Sequence, residues 1–227
     1  MRDIAVARSA DGGRTWSAPV RVHADEWRVN YCPDAGPSVR VGADGAVHVA
    51  WWTGQEGAAG VRYARSTDGG RTFRAPVPLG VGAHSRAAHV QLAVAGAGDA
   101  TTVVAAWEDG TRQQPPLVVR VSRDGGRTFG AAEEVSAAGV QVGYPVVALA
   151  GGAAGDTVRV AWQQRAPDDA ARDSAARVAS SGAHHHAEPA AAQYIQPVGA
   201  WQVVMRSGVL AAGAGPPDVR RITVARR

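Results

Sequence analysis

The chain has very little of several residue types that mark particular classes of protein. It contains one cysteine, Cys32, so no intrachain disulfide can form and a disulfide-stapled fold is excluded. It has no lysine, and all 24 of its basic residues are arginine. These arginines are spread along the chain and the net charge is only +4, whereas a nucleic-acid-binding surface concentrates its basic residues. We therefore expect no nucleic-acid partner.

Long apolar runs are missing as well. No stretch is long enough to cross a membrane as a helix, so we expect no membrane span. The first residues, Met1 to Asp3, lead directly into a predicted strand without the apolar segment of a signal peptide. As written, the sequence predicts a cytoplasmic protein, or a secreted one if a leader precedes it in a longer chain.

Metal and nucleotide motifs are equally scarce. The three histidines His184, His185 and His186 are consecutive, whereas a closed metal site draws its ligands from separated positions that converge. No glycine-rich loop stands between a strand and a helix, so the sequence contains no phosphate-binding loop. We therefore expect neither a metal nor a cofactor.

The chain does contain one eight-residue motif, S-x-D-G-G-R-T-[W/F], three times. The copies begin at Ser9, Ser66 and Ser122, which are 57 and 56 residues apart, and a fixed period of this size indicates a repeat architecture. The motif residues suit a hairpin turn, because aspartate accepts backbone N–H bonds, glycine reaches positive φ and the final aromatic ring can pack under the turn. We assign these structural positions to Ser9, Asp11, Gly13, Trp16, Ser66, Asp68, Gly70, Phe73, Ser122, Asp124, Gly126 and Phe129.

A second periodic feature lies between the turns. Apolar, β-branched runs end on Trp51, Trp107 and Trp162, and we expect these rings in the core. Each run is preceded by a glycine-rich turn and another apolar run, so one repeat contains four predicted strands. In the clearest repeat these strands cover 37–41, 46–52, 60–66 and 75–79, and four antiparallel strands per repeat are typical of a β-propeller blade.

The blade pattern extends over the whole chain with varying strength. We interpret residues 1–227 as a single propeller domain with about four to five blades. Its parts are a partial leading blade 3–22, three blades at about 37–79, 88–135 and 144–189, and a weak final blade at 192–225. In the third blade the run 178–181 takes the place of the third strand.

The repeated motif resembles the Asp box of the sialidase superfamily. The segments Cys32–Ser38 and Ala50–Gly54 are also similar to bacterial sialidase-like proteins. The resemblance implies an all-β propeller, with six blades in that family. We therefore expect this chain either to be part of a longer protein or to close its propeller in an unusual way.

The resemblance also implies an activity. Exo-α-sialidases are glycoside hydrolases that bind the sialic acid carboxylate through three arginines and use a glutamate-activated tyrosine as nucleophile, with an aspartate as acid/base. The Arg-Ile-Pro motif that carries the family's first arginine does not occur in this chain. The alternative is a non-catalytic propeller that binds a glycan or a protein partner through its loops.

Blade topology predicts where such a site would lie. The Asp-box turns share one end of the blades with the turns between first and second strands, so the longer connections gather at the opposite end, where function tends to reside. The candidate catalytic residues at that end are Tyr31, Asp34, Glu56, Glu108 and Tyr144, and the candidate ligand-binding residues are Trp52, Arg86 and Arg112. We expect a glycan or sialoside-like ligand there, with arginine pairing to a carboxylate.

Overall fold

The computed structural model describes residues 2–29, 35–81, 87–112, 114–151, 155–165, 202–211 and 223–224. These residues form β-strands, turns and one short 3₁₀ segment at Gly98–Ala100. Within the described ranges, no helix has the length and apolar character that a membrane crossing requires.

The strands form one two-stranded and three four-stranded antiparallel sheets. The leading sheet pairs β1 (Ala5–Val6) with β2 (Val20–Arg21). Sheet 1 contains β3 (Ser38–Val41), β4 (Val47–Thr53), β5 (Gly60–Ser66) and β6 (Val77–Val81). Sheet 2 contains β7 (Gln91–Ala95), β8 (Thr102–Glu108), β9 (Leu117–Ser122) and β10 (Glu133–Glu134). Sheet 3 contains β11 (Gln141–Ala150), β12 (Gly155–Arg165), β13 (Gln202–Ala211) and β14 (Thr223–Val224).

In every four-stranded sheet the strands are neighbours in space in the order in which they follow one another in sequence. Successive four-stranded meanders that pack face to face are propeller blades. The predicted all-β propeller fold is therefore confirmed, and the predicted strand 60–66 coincides with β5.

Sheet 3 differs from the repeat that the sequence suggested. The sequence pattern predicts residues 202–211 as part of a separate final blade, but β13 pairs with β12 from Gly155↔Ala211 to Gln164↔Gln202. The run 178–181, predicted as the third strand of this blade, lies outside the described residues. A four-residue run could match only part of the eleven-residue β12, whereas the ten residues of β13 match nearly all of it. The other predicted blade limits stay predictions.

The core lies between the sheets, and the three repeated tryptophans are central to it. Trp51, Trp107 and Trp162 are at most 2% exposed. Trp107 packs in a cluster with residues of sheet 1, and Trp162 in a cluster with residues of sheet 2. Trp51 packs with Ile4 and Val22 beside the leading sheet. Each tryptophan thus marks the face that its sheet turns toward the preceding one.

The three motif turns share one hydrogen-bond network. In the second turn the Ser66 hydroxyl accepts a bond from the Gly70 N–H at 2.8 Å and donates to Asp68 Oδ1 at 2.7 Å. The Thr72 hydroxyl donates to Asp68 Oδ2 at 2.6 Å. Matching bonds surround Asp11 and Asp124. In the first turn these bonds, led by the one from Thr15, hold the pKa of Asp11 at about 2, so the carboxylate is the form that closes the turn.

The aromatic residue that ends each motif packs on the preceding sheet, and this corrects one expectation. Phe129 meets Tyr63 of sheet 1 edge to face, with ring centroids 5.0 Å apart, and Phe73 packs on the cluster beside the leading sheet. Trp16, which we expected to pack in the same way, is 65% exposed. The described residues contain no sheet before the leading one, so Trp16 has no such surface to cover.

Sheets 1 and 2 are also joined by a single arginine. Arg120 on β9 donates to the carbonyl oxygens of Phe129 and Gly130 beyond the turn of its own sheet. It also donates to the carbonyl of Leu79 on β6, at 2.7 Å. One guanidinium therefore ties the third motif turn to the last strand of sheet 1.

A buried histidine predicts how stability depends on pH. His48 is fully buried, with Nδ1 2.6 Å from the Tyr63 hydroxyl, and burial, together with the charge of Arg65, lowers its pKa to about 4. The unfolded chain, with a histidine pKa near 6.5, takes up this proton first. Stability from His48 is therefore complete above pH 6.5 and is lost as pH falls toward 4, by on the order of 3 kcal/mol. Urea unfolding across this range checks the loss, and His48→Gln should flatten the curve; an equally steep curve in that variant would contradict the assignment.

Candidate ligand-binding rim

We call the end of the sheets opposite the motif turns the rim. It is formed by the connections between sheets and by the loops that follow β4 and β8. Two carboxylates are buried there, on Asp25 and Glu108. Two non-glycine residues of the described chain adopt positive φ, and both lie beside these carboxylates: Glu26 at 51° and Tyr144 at 53°. Such backbone conformations are unfavourable for bulky residues and concentrate at functional sites.

Glu108, at the end of β8, joins sheet 2 to sheet 3. Its Oε2 accepts a bond from the backbone N–H of His89 at 2.7 Å, and its Oε1 accepts one from the backbone N–H of Tyr144 at 2.8 Å. The His89 ring adds a third contact, with Nδ1 3.1 Å from Oε1. A carboxylate that accepts two backbone N–H bonds fixes the two segments that supply them.

The bonds to Glu108 place Tyr144 and His89 side by side, and their rings form an aromatic pair at the surface of the rim. Tyr144 lies at an irregularity in β11, between the paired residues Gly143 and Val146. Its side chain is 55% exposed, and its ring lies 4.5 Å from the ring of His89, centroid to centroid. The positive φ of Tyr144, stabilised by the bond to Glu108, directs this large ring into solvent beside a second ring.

This geometry concerns two of the candidate catalytic residues, Tyr144 and Glu108. The structure brings Tyr144 and Glu108 together, but the contact is made by the tyrosine backbone N–H. Both carboxylate oxygens of Glu108 are used by N–H groups, so Glu108 acts here as a positioning residue for Tyr144 and His89.

The second carboxylate, Asp25, holds the connection before sheet 1. Its two oxygens accept bonds from Trp51 Nε1 and from Arg62 Nη1, each at 2.6 Å. Arg62 also donates to Gln55 Oε1 at 2.8 Å, which fixes the loop after β4. The nearest ring nitrogen of His23 is 3.9 Å from the carboxylate. Asp25 is buried and Arg62 is partly buried, and their ion pair joins three segments of the rim.

The other predicted site residues are dispersed. Trp52 is only 4% exposed and packs edge to face on Trp27 with centroids 5.0 Å apart, so it offers no ring to a ligand. Glu56 is exposed in the loop after β4. Arg112 forms an exposed ion pair with Glu134 at 2.6 Å. Three further candidates lie outside the described residues: Tyr31, Asp34 and Arg86.

Two arginines that the structure describes at the rim are each engaged by a carboxylate. Arg62, on sheet 1, is paired to Asp25. Arg112, in the loop after β8 of sheet 2, is paired to Glu134 of that same sheet. Among the described positions no group of three or more histidine, cysteine, aspartate or glutamate residues could hold a metal ion. The histidine run 184–186 lies outside them.

Sequence analysis did not identify Asp25, Arg62 or His89 as a site residue. The sequence does contain a signal for Arg62, because this charged residue lies between Val61 and Tyr63 in a predicted strand. An arginine that is largely covered by protein is expected to pair with a carboxylate. That partner is 37 residues away in sequence, so the strand pattern alone could not name it.

Comparison with known proteins finds likeness in structure but none in sequence. No protein-family model and no curated protein sequence matches the chain. Among solved structures, the α-L-arabinofuranosidase Arb93A from Fusarium graminearum, in complex with an iminosugar inhibitor, is similar with a TM-score of 0.49 and 15% identity. The likeness covers 89% of this chain and 54% of the arabinofuranosidase, so the chain spans about half the length of that enzyme.

Proposed function

We propose that the chain is a glycan-directed propeller that binds a sugar at the rim, on the ring of Tyr144. The observation that carries this proposal is the pair of Tyr144 and His89, held in place from below by the buried Glu108. An exposed aromatic ring stacks on the apolar face of a sugar, and a ring fixed in advance loses little conformational freedom on binding.

The sialidase-like motif supports a sialoside as the first ligand to test. Exo-α-sialidase activity is the finer hypothesis, and non-catalytic binding is its alternative. Two observations support non-catalytic binding. Both carboxylate oxygens of Glu108 already accept N–H bonds, and Arg62 and Arg112 are each paired to a different carboxylate of the chain. Turnover of a fluorogenic α-sialoside separates the two, because hydrolysis above background that Tyr144→Phe abolishes would establish a tyrosine-dependent sialidase.

Tyr144→Ala should weaken glycan binding about tenfold, the equivalent of about 1.4 kcal/mol, because it removes the stacking surface. Tyr144→Phe should retain most of the affinity if the ring is what matters. The measurement is isothermal titration calorimetry with sialyllactose, preceded by a glycan array that includes neutral sugars. Trp16→Ala is the matched control, since Trp16 is another exposed aromatic ring but lies among the motif turns, at the opposite end of the sheets.

The outcomes of this experiment differ in meaning. Binding to neutral glycans alone would retain the carbohydrate site and reject the sialoside. Full affinity in Tyr144→Ala would place the site elsewhere on the protein, and a folded chain that binds no glycan on the array would overturn the proposal.

A further inference from the structure

The junction between sheets 1 and 2 contains a row of basic side chains near the motif turns. His48 on β4 pairs in register with Arg40 on β3 and with Arg65 on β5, and directly paired residues of an antiparallel sheet lie on the same face. His48 and Arg65 are buried, whereas Arg40 is exposed. Asp44 Oδ2 lies 3.7 Å from Arg65 Nη2 and accepts the Gly98 N–H of sheet 2 at 2.9 Å. A proton on His48 would therefore add a third positive charge to a row that has one neighbouring carboxylate already in use.

The hydrogen bonds of His48 suit its neutral form. Its Nδ1 lies 2.6 Å from the Tyr63 hydroxyl, and its Nε2 is buried without a hydrogen-bond partner among the described residues. A neutral imidazole has one acceptor nitrogen, so Nδ1 can accept the Tyr63 proton, whereas both nitrogens of a protonated ring are donors. Protonation thus removes the acceptor of the Tyr63 hydroxyl and places a buried charge beside Arg65.

The third motif turn covers this cluster from the side of sheet 2. A Cβ on Gly126 would lie 2.0 Å from the Tyr63 hydroxyl oxygen, and a Cβ on Gly125 would lie 2.5 Å from Arg65 Nη1. The two glycines therefore allow the turn to rest directly on Tyr63 and Arg65. A shift of either side chain pushes against the turn backbone, so the state of His48 is coupled to the position of the turn.

The charged groups of the turn are engaged within sheet 2. The Asp124 carboxylate accepts bonds from the hydroxyls of Ser122 and Thr128, and Asp99 pairs with Arg127 in solvent. These contacts offer no compensating charge to a protonated His48. They also close the turn on itself, so the turn can separate from sheet 1 without losing its shape.

The end of the junction nearer the rim is apolar. Val61, Leu79, Val90 and Trp107 are buried there in one cluster, and their packing does not depend on a proton. Parts of a folded protein that differ in this way can open separately, each with its own free energy.

We infer that the motif-turn end of this junction is an acid-sensitive contact: when His48 takes up a proton, the third motif turn separates from Tyr63 and Arg65 while the apolar end stays packed. The inference goes beyond a loss of overall stability, because it assigns the opening to one end of one junction. It is independent of the sugar site, which lies at the opposite end of the sheets.

The size of the effect follows from proton linkage. The pKa of His48 is about 4 in the closed junction and near 6.5 once the ring is in water. The open form therefore binds the proton more tightly, and opening becomes more favourable as pH falls. Between pH 7 and pH 5 the opening constant should rise about twentyfold.

Labelling of buried cysteines measures the opening at each end. Val103, at the start of β8, is fully buried near the motif turns, and Val90, before β7, is fully buried nearer the rim. Val103→Cys and Val90→Cys are made separately in a chain that carries Cys32→Ala, and both are labelled with dithiodipyridine at pH 7 and pH 5. Division by the labelling rate of the urea-unfolded chain at the same pH cancels thiol ionisation and gives the opening constant.

The opening constant at Val103→Cys should rise about twentyfold from pH 7 to pH 5, and at pH 5 it should exceed that at Val90→Cys by about tenfold or more. His48→Gln should abolish the rise, because glutamine can bond the Tyr63 hydroxyl and does not titrate. His23→Gln is the matched control, since His23 is partly exposed at the rim, and it should leave the rise unchanged. Circular dichroism verifies that each variant is folded.

Three results would overturn the proposal. Equal opening constants at the two cysteines at pH 5 would mean that both are reached only when the whole chain unfolds. An opening constant at Val103→Cys that does not rise in acid would remove the proton dependence, and a rise that persists in His48→Gln would assign it to another group. The first two comparisons use the native His48, so they decide the matter even if His48→Gln does not fold.

Discussion

Gly126→Ala should destabilise the protein by about 3 kcal/mol or more, whereas the same replacement at Gly13 should cost about 1 kcal/mol. The two glycines occupy the same position of the motif turn and have nearly the same backbone, with φ of 85° and 89°. Their surroundings differ. A Cβ on Gly126 would lie 2.0 Å from the Tyr63 hydroxyl oxygen, whereas a Cβ on Gly13 would have no atom within 4 Å.

The cost at Gly126 follows from how firmly Tyr63 is held. Its ring is fully buried, its hydroxyl bonds His48, and its edge packs on Phe129. Close-packed side chains of this kind cannot move aside cheaply. Urea unfolding of both variants measures the difference, with Gly70→Ala as a second control, because its nearest atom would be 3.5 Å away. Equal costs at Gly126 and Gly13 would show that the turn conformation alone sets the penalty.

Asp25→Ala should cost about 3 kcal/mol, because it leaves the Arg62 guanidinium, whose side chain is 13% exposed, without its charge partner. Asp25 is 2% exposed and also accepts the bond from Trp51. The matched control is Glu134→Ala, which breaks an ion pair with Arg112 at the same 2.6 Å separation but in solvent. Exposed pairs contribute about 0–1 kcal/mol, so that variant should be nearly neutral.

A double-mutant cycle extends the measurement on Asp25. If the ion pair is the cause, then Asp25→Ala and Arg62→Ala should be strongly non-additive, since removing both partners removes the unpaired charge. Additive losses would instead attribute the cost of Asp25→Ala to the lost bond from Trp51. Thermal unfolding of the four proteins at one pH is sufficient.

The features that repeat along the chain were predictable from sequence, because each is local. The motif turn is closed by atoms within a few residues, such as Ser66, Asp68 and Gly70, so its sequence alone specifies its shape. The strand tryptophans were predictable for a related reason, since each stands in a short, β-branched run.

Features that depend on neighbouring sheets were not predictable in this way. Both faces of a blade are covered by neighbouring sheets, so apolar residues do not alternate with polar ones along a strand. The pattern therefore does not distinguish a ring that faces a ligand from a ring in the core. Trp52, a predicted ligand-binding residue, is a core ring for this reason. Trp16 has the same local sequence as Phe73 and Phe129 but lacks their packing surface. The site pair of Tyr144 and His89 depends on Glu108, which is 36 residues from Tyr144 and 19 from His89.

The Arg120 contact has a consequence for how the repeats can diverge. Its acceptors are main-chain carbonyls, on Pro78 and Leu79 of the neighbouring sheet and on Phe129 and Gly130 of its own. A carbonyl is present whatever the side chain, so the residues at these positions can drift without breaking the link. One guanidinium is then enough to hold two blades in register while their surfaces acquire different sequences.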